Sequence, residues 1–306
     1  MTETRRAVLA ALADGPVAGP DLAERLGVSR AAVWKHVEAL RDAGFEVAST
    51  DAGYEVVGVP PYGGPAVEFG LDAPYAVEYH DALPSTNDRA RELAAAGESD
   101  VVVLADEQTG GRGRLDRAWD SPPGGVWLSF VLRPTLPPAR APLLTLAAAV
   151  AVARAAREAG VDARIKWPND VVVDDAKLAG VLTEMEGEAD RVSWVVVGVG
   201  VNADVDPAAL PPAATSLAAE AGAVDRRVFV QRLLETFHEV RADPDAVLDA
   251  WRDHAATLGR AVRVETAGGV VSGEAVDVDA SGALVVDTGT GRRTVHAGDC
   301  EHLRPA

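Results

Sequence analysis

The run Gln108-Thr109-Gly110-Gly111-Arg112-Gly113-Arg114-Leu115-Asp116-Arg117 alternates glycine with arginine. Glycine lets the backbone take positive φ and come close to a ligand, and arginine presents a planar, permanently charged fork to anions. The run follows the apolar stretch Val101 to Leu104, so it belongs at a strand end. It lacks the Gly-Lys-Ser/Thr ending of a phosphate-binding P-loop and opens no helix as a dinucleotide fingerprint does. Residue chemistry alone leaves two readings open, an anion site and a flexible basic turn.

A second cluster is Lys166-Trp167-Pro168-Asn169-Asp170, followed by Lys177-Leu178-Ala179-Gly180. Between them Val171-Val172-Val173-Asp174-Asp175 reads as a strand and a turn, which brings Lys177 back toward Asp170. Taken singly, Lys166 with Asp170 is also a structural ion pair and Lys177 an exposed strand end; together they converge two ammonium groups on one region. Lysine is scarce, with only Lys35, Lys166 and Lys177 among 29 basic residues. Those that remain mark places where a compact ammonium fits and a guanidinium does not, unless the scarcity is chance. The skew, with a formal net charge of -18, is expected of an acidic, lysine-poor proteome such as a halophile's. Ser85-Thr86-Asn87, ahead of a helical Asp88 to Ala95, is a capping sequence whose hydroxyls and amide can also hold a ligand's polar head.

Other chemistries are excluded by composition. The single Cys300 forbids an internal disulfide and reads as a small barrel residue, and the six scattered histidines show no spacing for a transition metal. The net charge repels nucleic acid at long range unless a local patch overrides it. No run approaches the roughly 18 apolar residues of a membrane span, and Met1 to Arg6 lacks the apolar segment of a secretory signal, so a cytoplasmic address without a membrane partner is expected.

The elements that must position these residues fall into three segments. Residues 1–59 read as a winged helix-turn-helix: one helix burying Val8, Leu9 and Leu12, a second from Gly19-Pro20-Asp21 burying Leu22 and Leu26, and a third capped by Ser29 and running to about Ala43. Val28 packs on Val33 as a hydrophobic staple, and Val33, Val37 and Leu40 form the inner face. A hairpin turning at Asp51-Ala52-Gly53 is the wing. Arg30, Trp34 and Lys35 lie on the outer face, which such folds set into the DNA major groove, although packing or dimerisation alone would use the same fold. Six Lys/Arg against nine Asp/Glu leave this segment slightly acidic. Pro60 to Pro65 is a linker by composition. Residues 66–258 mix strands with helices; Trp194 to Val201 is apolar without alternation, hence a strand covered on both faces. Residues 259–306 show short alternating strands with glycine turns, as in a small β-barrel.

Five motifs, Ser85-Thr86-Asn87, Gly111-Arg112-Gly113-Arg114 with Trp119, Lys166 to Asp170, Lys177 to Gly180, and Gly198-Val199-Gly200-Val201-Asn202, resemble in content and order those of the biotin-protein ligases. Ser29-Arg30-Ala31-Ala32-Val33-Trp34-Lys35-His36 and the C-terminal barrel resemble the bifunctional form, both ligase and biotin operon repressor, so the resemblance covers nearly the whole chain. It implies an α+β protein: a winged helix-turn-helix, a central mixed sheet with helices of the class II synthetase type, and a C-terminal SH3-like barrel. It implies that biotin and ATP, with Mg²⁺, give biotinyl-5'-AMP, from which a lysine of a biotin carboxyl carrier protein takes biotin. In that pattern Ser85, Thr86, Asn87 and Gln108 face the biotin head, and Gly111, Arg112, Gly113, Arg114, Lys177 and Gly180 hold biotin or the adenylate. Arg117 and Trp119 border the nucleotide, with Asn169 and Asn202 nearby. Arg114, Lys177 and Asp170 carry the reaction, with Asp170 binding metal or accepting the proton of the incoming amine. Ser29, Arg30, Trp34 and Lys35 face DNA, the biotin operator, and a homodimer forms through a sheet edge. Leu115-Asp116 departs from the repressor type, which has another arginine and a glycine there, and lowers the loop's positive charge. Alternatives are a lipoate or octanoate ligase and a ligand-sensing transcription factor without ligase activity; intact Lys177 and Arg114 argue against the latter.

Overall fold

The computed structural model describes residues 3–303, so Met1, Thr2 and residues 304–306 of the ranges above lie outside it. Helices α1 (Glu3–Ala13), α2 (Gly19–Arg25) and α3 (Arg30–Asp42) precede a hairpin of β1 (Glu46–Thr50) and β2 (Gly53–Gly58). Each start has a local cause. Pro20 sits in the first turn of α2, and Ser29 Oγ accepts from Ala32 N at the start of α3. Val8, Leu9, Leu12, Leu22, Val33, Val37 and Leu40 close one core; Leu26 packs against it half-buried. At Gly53, where φ is 124°, a Cβ would lie 2.2 Å from Val17 O, so the wing's turn tolerates only glycine.

Within the expected linker a short helix, α4 (Gly64–Glu68), has already begun. Pro65 does not forbid it, because proline fits a helix's first turn. This helix joins the two parts of the molecule. Val67 enters the central core, Phe69 meets Phe45 edge-on at 5.9 Å, and Glu68 accepts from both Arg6 of α1 and Val77 N.

The central unit comprises β3 (Ala76–Leu83), α5 (Thr86–Ala95), β4 (Val101–Gln108), β5 (Val126–Leu132), α6 (Pro142–Glu158), β6 (Arg164–Lys166), β7 (Asp170–Val173), β8 (Ala176–Gly187), β9 (Val192–Val201), α7 (Leu217–Ala221), α8 (Arg226–Val240) and α9 (Pro244–His254). The strands form a seven-stranded sheet in the order β3-β4-β5-β9-β8-β7-β6. The β3–β4 pair is parallel and the others antiparallel. Every residue of β5 is buried. Alternate residues explain this: Leu128, Phe130, Val195 and Val197 face the core built with α6, α8 and α9, while Val131 and Val196 face Ala90 and Ala94 of α5. By length and apolar content one helical stretch, Pro138–Glu158, does meet the requirement of a membrane span, with mean hydropathy 1.4 over 18 residues. Reading the sequence for uncharged runs overlooked it, because Arg140 and Arg154 interrupt it. In the fold 72% of that window is buried.

Last come β10 (Ala261–Thr266), β11 (Gly269–Val278), β12 (Leu284–Asp287), β13 (Arg292–Val295) and β14 (Asp299–His302), antiparallel in the order β13-β12-β11-β10-β14. These five short, consecutively paired strands make up the expected small C-terminal β unit; among the described residues the ladders run from β13 to β14 without a β13–β14 pair. Val262, Val264, Leu284 and Cys300 of this sheet share the central core, and Trp167 Nε1 donates to Gly282 O at 3.0 Å. The C-terminal sheet is thus docked on the end of the central one that carries Lys166 to Asp170.

Candidate active site

A cavity of about 300 Å³ opens where β4 and β9 end and β8 begins, against the start of α5 and the glycine-arginine run. At its inner end Ser85 caps α5 by accepting from Asp88 N. Gln108 Oε1 accepts from Thr86 N at 2.8 Å and Thr86 Oγ1 at 3.0 Å, while Gln108 Nε2 donates to Ser121 Oγ at 2.9 Å, which fixes the amide's orientation. Asn87 is held at both ends: Nδ2 donates to Glu184 Oε2 at 2.7 Å, and Oδ1 lies 2.6 Å from Ser129 Oγ. Its edge rests on Gly198, where a Cβ would come within 2.1 Å of Oδ1. Ser121, Ser129 and Glu184 escaped the sequence reading. The available signal was a polar residue on a strand otherwise buried, as at Ser129, which is fully buried in β5.

The loop rises from the end of β4. Gly110 N donates to Pro84 O, Gly113 N to Arg117 O, and Trp119 N to Gly111 O. Gly111 does not line the cavity; it lets the chain pass, since a Cβ there would lie 2.4 Å from Trp119 O. Arg112 pairs with Asp88, whose carboxylate raises the guanidinium's pKa. Arg114 donates to Asn169 Oδ1 at 3.1 Å and to Gly298 O at 3.0 Å. Arg117 pairs with Asp299 of β14. Leu115 and Asp116, the two departures from the family pattern, adopt φ of 56° and 53°.

On the far wall Lys177 Nζ lies 2.8 Å from Asp170 Oδ1 and 4.8 Å from the centroid of the Trp119 ring. The Asp170 contact lacks hydrogen-bond geometry, so Oδ1 is buried without a hydrogen-bond partner. Trp119 lies over Gly180 and Gly200 and keeps a buried Nε1 that also lacks an acceptor among the described residues. Asn169 lines the cavity and donates to Val181 O. Asn202 does not line it. Its amide donates to Thr215 O at 3.0 Å and Lys177 O at 3.4 Å, which fastens the 213–217 segment beneath the backbone of Lys177. Lys166 lies in an adjoining cavity of about 330 Å³ that shares Arg114, Arg117, Asn169, Asp170 and Asp299.

The arrangement is a cationic basin whose charges are provisionally neutralised: Arg112 by Asp88, Arg117 by Asp299 and Lys177 by Asp170. Such a basin accepts anionic groups, and its polar inner end fixes the direction of a small hydrogen-bonding head. Far from it, Arg30, Trp34 and Lys35 are exposed along one side of α3, and Trp34 is 53% accessible despite its size. Ser29 spends its hydroxyl on the helix cap.

Three family profiles match in chain order: an HTH domain over residues 4–55, the Biotin/lipoate A/B protein ligase family over 79–202, and the Biotin protein ligase C terminal domain over 257–303. The bifunctional ligase/repressor of Bacillus subtilis is 38% identical over 305 residues, 93% of each chain. The biotin–[acetyl-CoA-carboxylase] ligase of Mycobacterium tuberculosis is 38% identical over 70% of this chain and 84% of that one. Among solved structures, the biotin protein ligase of Aquifex aeolicus in complex with biotin and ATP superposes with a TM-score of 0.61 at 25% identity, covering 75% of this chain and 99% of that one. With its helix-turn-helix, its central mixed sheet and its C-terminal sheet all matched, the chain belongs to the biotin protein ligase family, in the ligase/repressor form.

Proposed function

We propose that the protein condenses biotin with ATP to biotinyl-5'-AMP, passes biotin to a lysine of a biotin carboxyl carrier protein, and binds its operator DNA through α3. The observation that carries the ligase reading is the convergence in one cavity of Arg112, Arg114 and Lys177 with the polar corner of Ser85, Thr86, Asn87 and Gln108.

In the first step a biotin carboxylate oxygen bonds to the α-phosphorus and pyrophosphate leaves. Two anions must approach, so cations are needed where charge accumulates. Arg114 and Lys177 supply them, Arg112 with the Gly113 and Gly180 backbone holds the acid, and Arg117, Trp119 and Asn169 border the nucleotide. At Lys177 the incoming oxyanion replaces a carboxylate already at the cation: Lys177 exchanges Asp170 for phosphate, and Asp170 is released. In the second step the carrier's amine attacks the acyl carbon, AMP leaves, and freed Asp170 accepts the amine proton. Among the described residues no group of three or more His, Cys, Asp or Glu side chains is arranged around a metal. In the alternative assignment Asp170, whose buried Oδ1 makes no hydrogen bond beyond its ion contact with Lys177, would hold a Mg²⁺ that screens the polyphosphate's charge, and would then not take the amine proton.

The test is the intact mass of a carrier protein after incubation with biotin, ATP and Mg²⁺. A gain of one biotinyl group is expected, lost with Lys177→Ala while that variant still melts like the wild type. No gain on an authentic acceptor overturns the reading, and a gain only when lipoate or octanoate replaces biotin transfers it to the sister activity. The helix-turn-helix makes operator binding the second role, with cytoplasmic location and homodimerisation through a sheet edge as its corollaries.

A further inference from the structure

We infer that Asp299, at the start of β14, is a positioning residue for retaining the adenylate: its carboxylate holds Arg117, and with it the glycine-arginine loop, over the cavity, so that the C-terminal sheet clasps the activated acid away from water. The inference rests on the ligase reading and adds to it a residue from a stretch that no motif marks.

The loop needs an outside hold. Leu115 and Asp116 are consecutive non-glycine residues at φ of 56° and 53°, a region that L residues occupy under constraint. Leu115 is 75% exposed, so packing does not impose the constraint. The contacts that do flank the pair. Arg114, just before it, donates to Gly298 O at 3.0 Å, and Arg117, just after it, pairs with Asp299. Two arginines of the loop therefore grip two successive residues at the entry to one strand, Gly298 just before β14 and Asp299 as its first residue.

That strand is the rigid partner. Asp299 stands opposite Glu265 and Cys300 opposite Val264 in the β10–β14 ladder, and Cys300 is buried in the shared core. Gly298 is pressed so closely on β10 that a Cβ would lie 2.5 Å from Glu265 O. Asp299 also lines the cavity itself. Removing its charge loosens the loop at Arg117, with Arg114 still on Gly298 O, and leaves the strand in place. Water then reaches the mixed anhydride: its oxygen bonds to the acyl carbon, the acyl–phosphate bond breaks, and biotin, AMP and a proton are released. Since the Arg117 side chain is 67% exposed, the clasp is a modest one and its loss a matter of a few-fold.

The experiment uses the full chain with biotin, ATP and Mg²⁺ and no carrier protein, following the burst of enzyme-held adenylate and the subsequent steady release of AMP. For Asp299→Asn we expect an unchanged burst, AMP release raised roughly three- to fivefold, biotin binding without ATP unaltered, and most of the leak repaired in Asp299→Glu. Wild-type leakage in a folded Asp299→Asn protein overturns the clasp, as does an equal leak in Asp299→Glu. Should Asp299→Asn melt early, Arg117→Gln tests the same pair: with the clasp, its leak equals that of the double variant, and additive leaks refute it. Absence of a burst in the wild type sinks the ligase reading and takes the clasp with it.

Discussion

Among single residues, the site's cations are already partnered, and this shapes what each substitution does. Arg112 shares Asp88 with Arg91, Arg91 also meets Glu184 at 3.1 Å, and Glu184 holds Asn87. The arginine near the acid and the amide at the head corner are therefore ends of one chain of contacts. Gly198 is where that chain is most exposed to steric change. A methyl there must displace Asn87 Oδ1 from 2.1 Å. Overpacking of this kind costs about 1–3 kcal/mol, so Gly198→Ala should weaken biotin binding by roughly ten- to a hundredfold. Nucleotide lies at the opposite end, so the KM for ATP should stay within about twofold, a factor well below 1 kcal/mol. Isothermal titration with biotin, alongside adenylation kinetics, checks this; equal losses for both ligands would mean that the strand and not the corner had moved.

At the scale of elements, short strands and turns bring the chemistry together and a buried threonine locks them. Lys177 returns to Asp170 because the β7–β8 turn takes Asp174 and Asp175 through φ of 47° and 69°, which short polar side chains tolerate. The next lock is Thr257, whose Oγ accepts from Trp167 N at 2.9 Å and lies 3.0 Å from His302 Nε2. Arg260 Nη1 stands 3.2 Å from His302 Nδ1 and can only donate to it, so His302 is neutral and its Nε2 proton points to Thr257. Burial, with Lys166 and Arg260 nearby, lowers its pKa below the ordinary 6.5 against the opposing pull of Asp175. A base with a depressed folded pKa takes up its proton more readily when unfolded, so stability is whole above pH 6.5 and declines as pH falls from there toward the folded value. The melting temperature should therefore drop between about pH 7.5 and pH 5.5, with a shallower drop in His302→Gln. Identical pH profiles for the two proteins would remove His302 from the account.

For the molecule as a whole, charge is the dominant variable. A net charge of -18 repels itself, while many arginines are tied into exposed ion pairs such as Arg232 with Glu158 and Arg252 with Asp277. Salt screens both, but exposed pairs contribute only about 0–1 kcal/mol each, so relief of the general repulsion should win. We expect the melting temperature to rise as NaCl increases from about 0.05 to about 1 M, where the screening length shortens to roughly 3 Å. A falling melting temperature would show that the ion pairs dominate, and would remove the physical support for a high-salt origin. DNA binding should run the other way. The acidic body opposes the exposed face of Arg30, Trp34 and Lys35, so affinity gained at low salt should be lost as counterions compete.

The sequence by itself determined what depends on near neighbours. The Ser29 cap, the inner face of Val33, Val37 and Leu40, the doubly covered strand read from Trp194 to Val201 and the ordered ligase motifs are local signals, carried by caps, periodicity and residue type. Short alternation was legible too, but not whether the last sheet closes, because closure depends on strands that no local pattern pairs. Helices α8 and α9, though amphipathic, went unassigned beside the motif-rich middle of the chain. Tertiary structure alone decided the rest. It set Asn202 beneath Lys177 and outside the cavity, joined Asn87 to Glu184 across 97 residues, and laid Arg114 and Arg117 on the entry to a strand more than 180 residues away. Those contacts arise because a strand end, a helix start and a second sheet meet at one point, and a chain's local chemistry says which groups can bind an anion without saying which of them will share it.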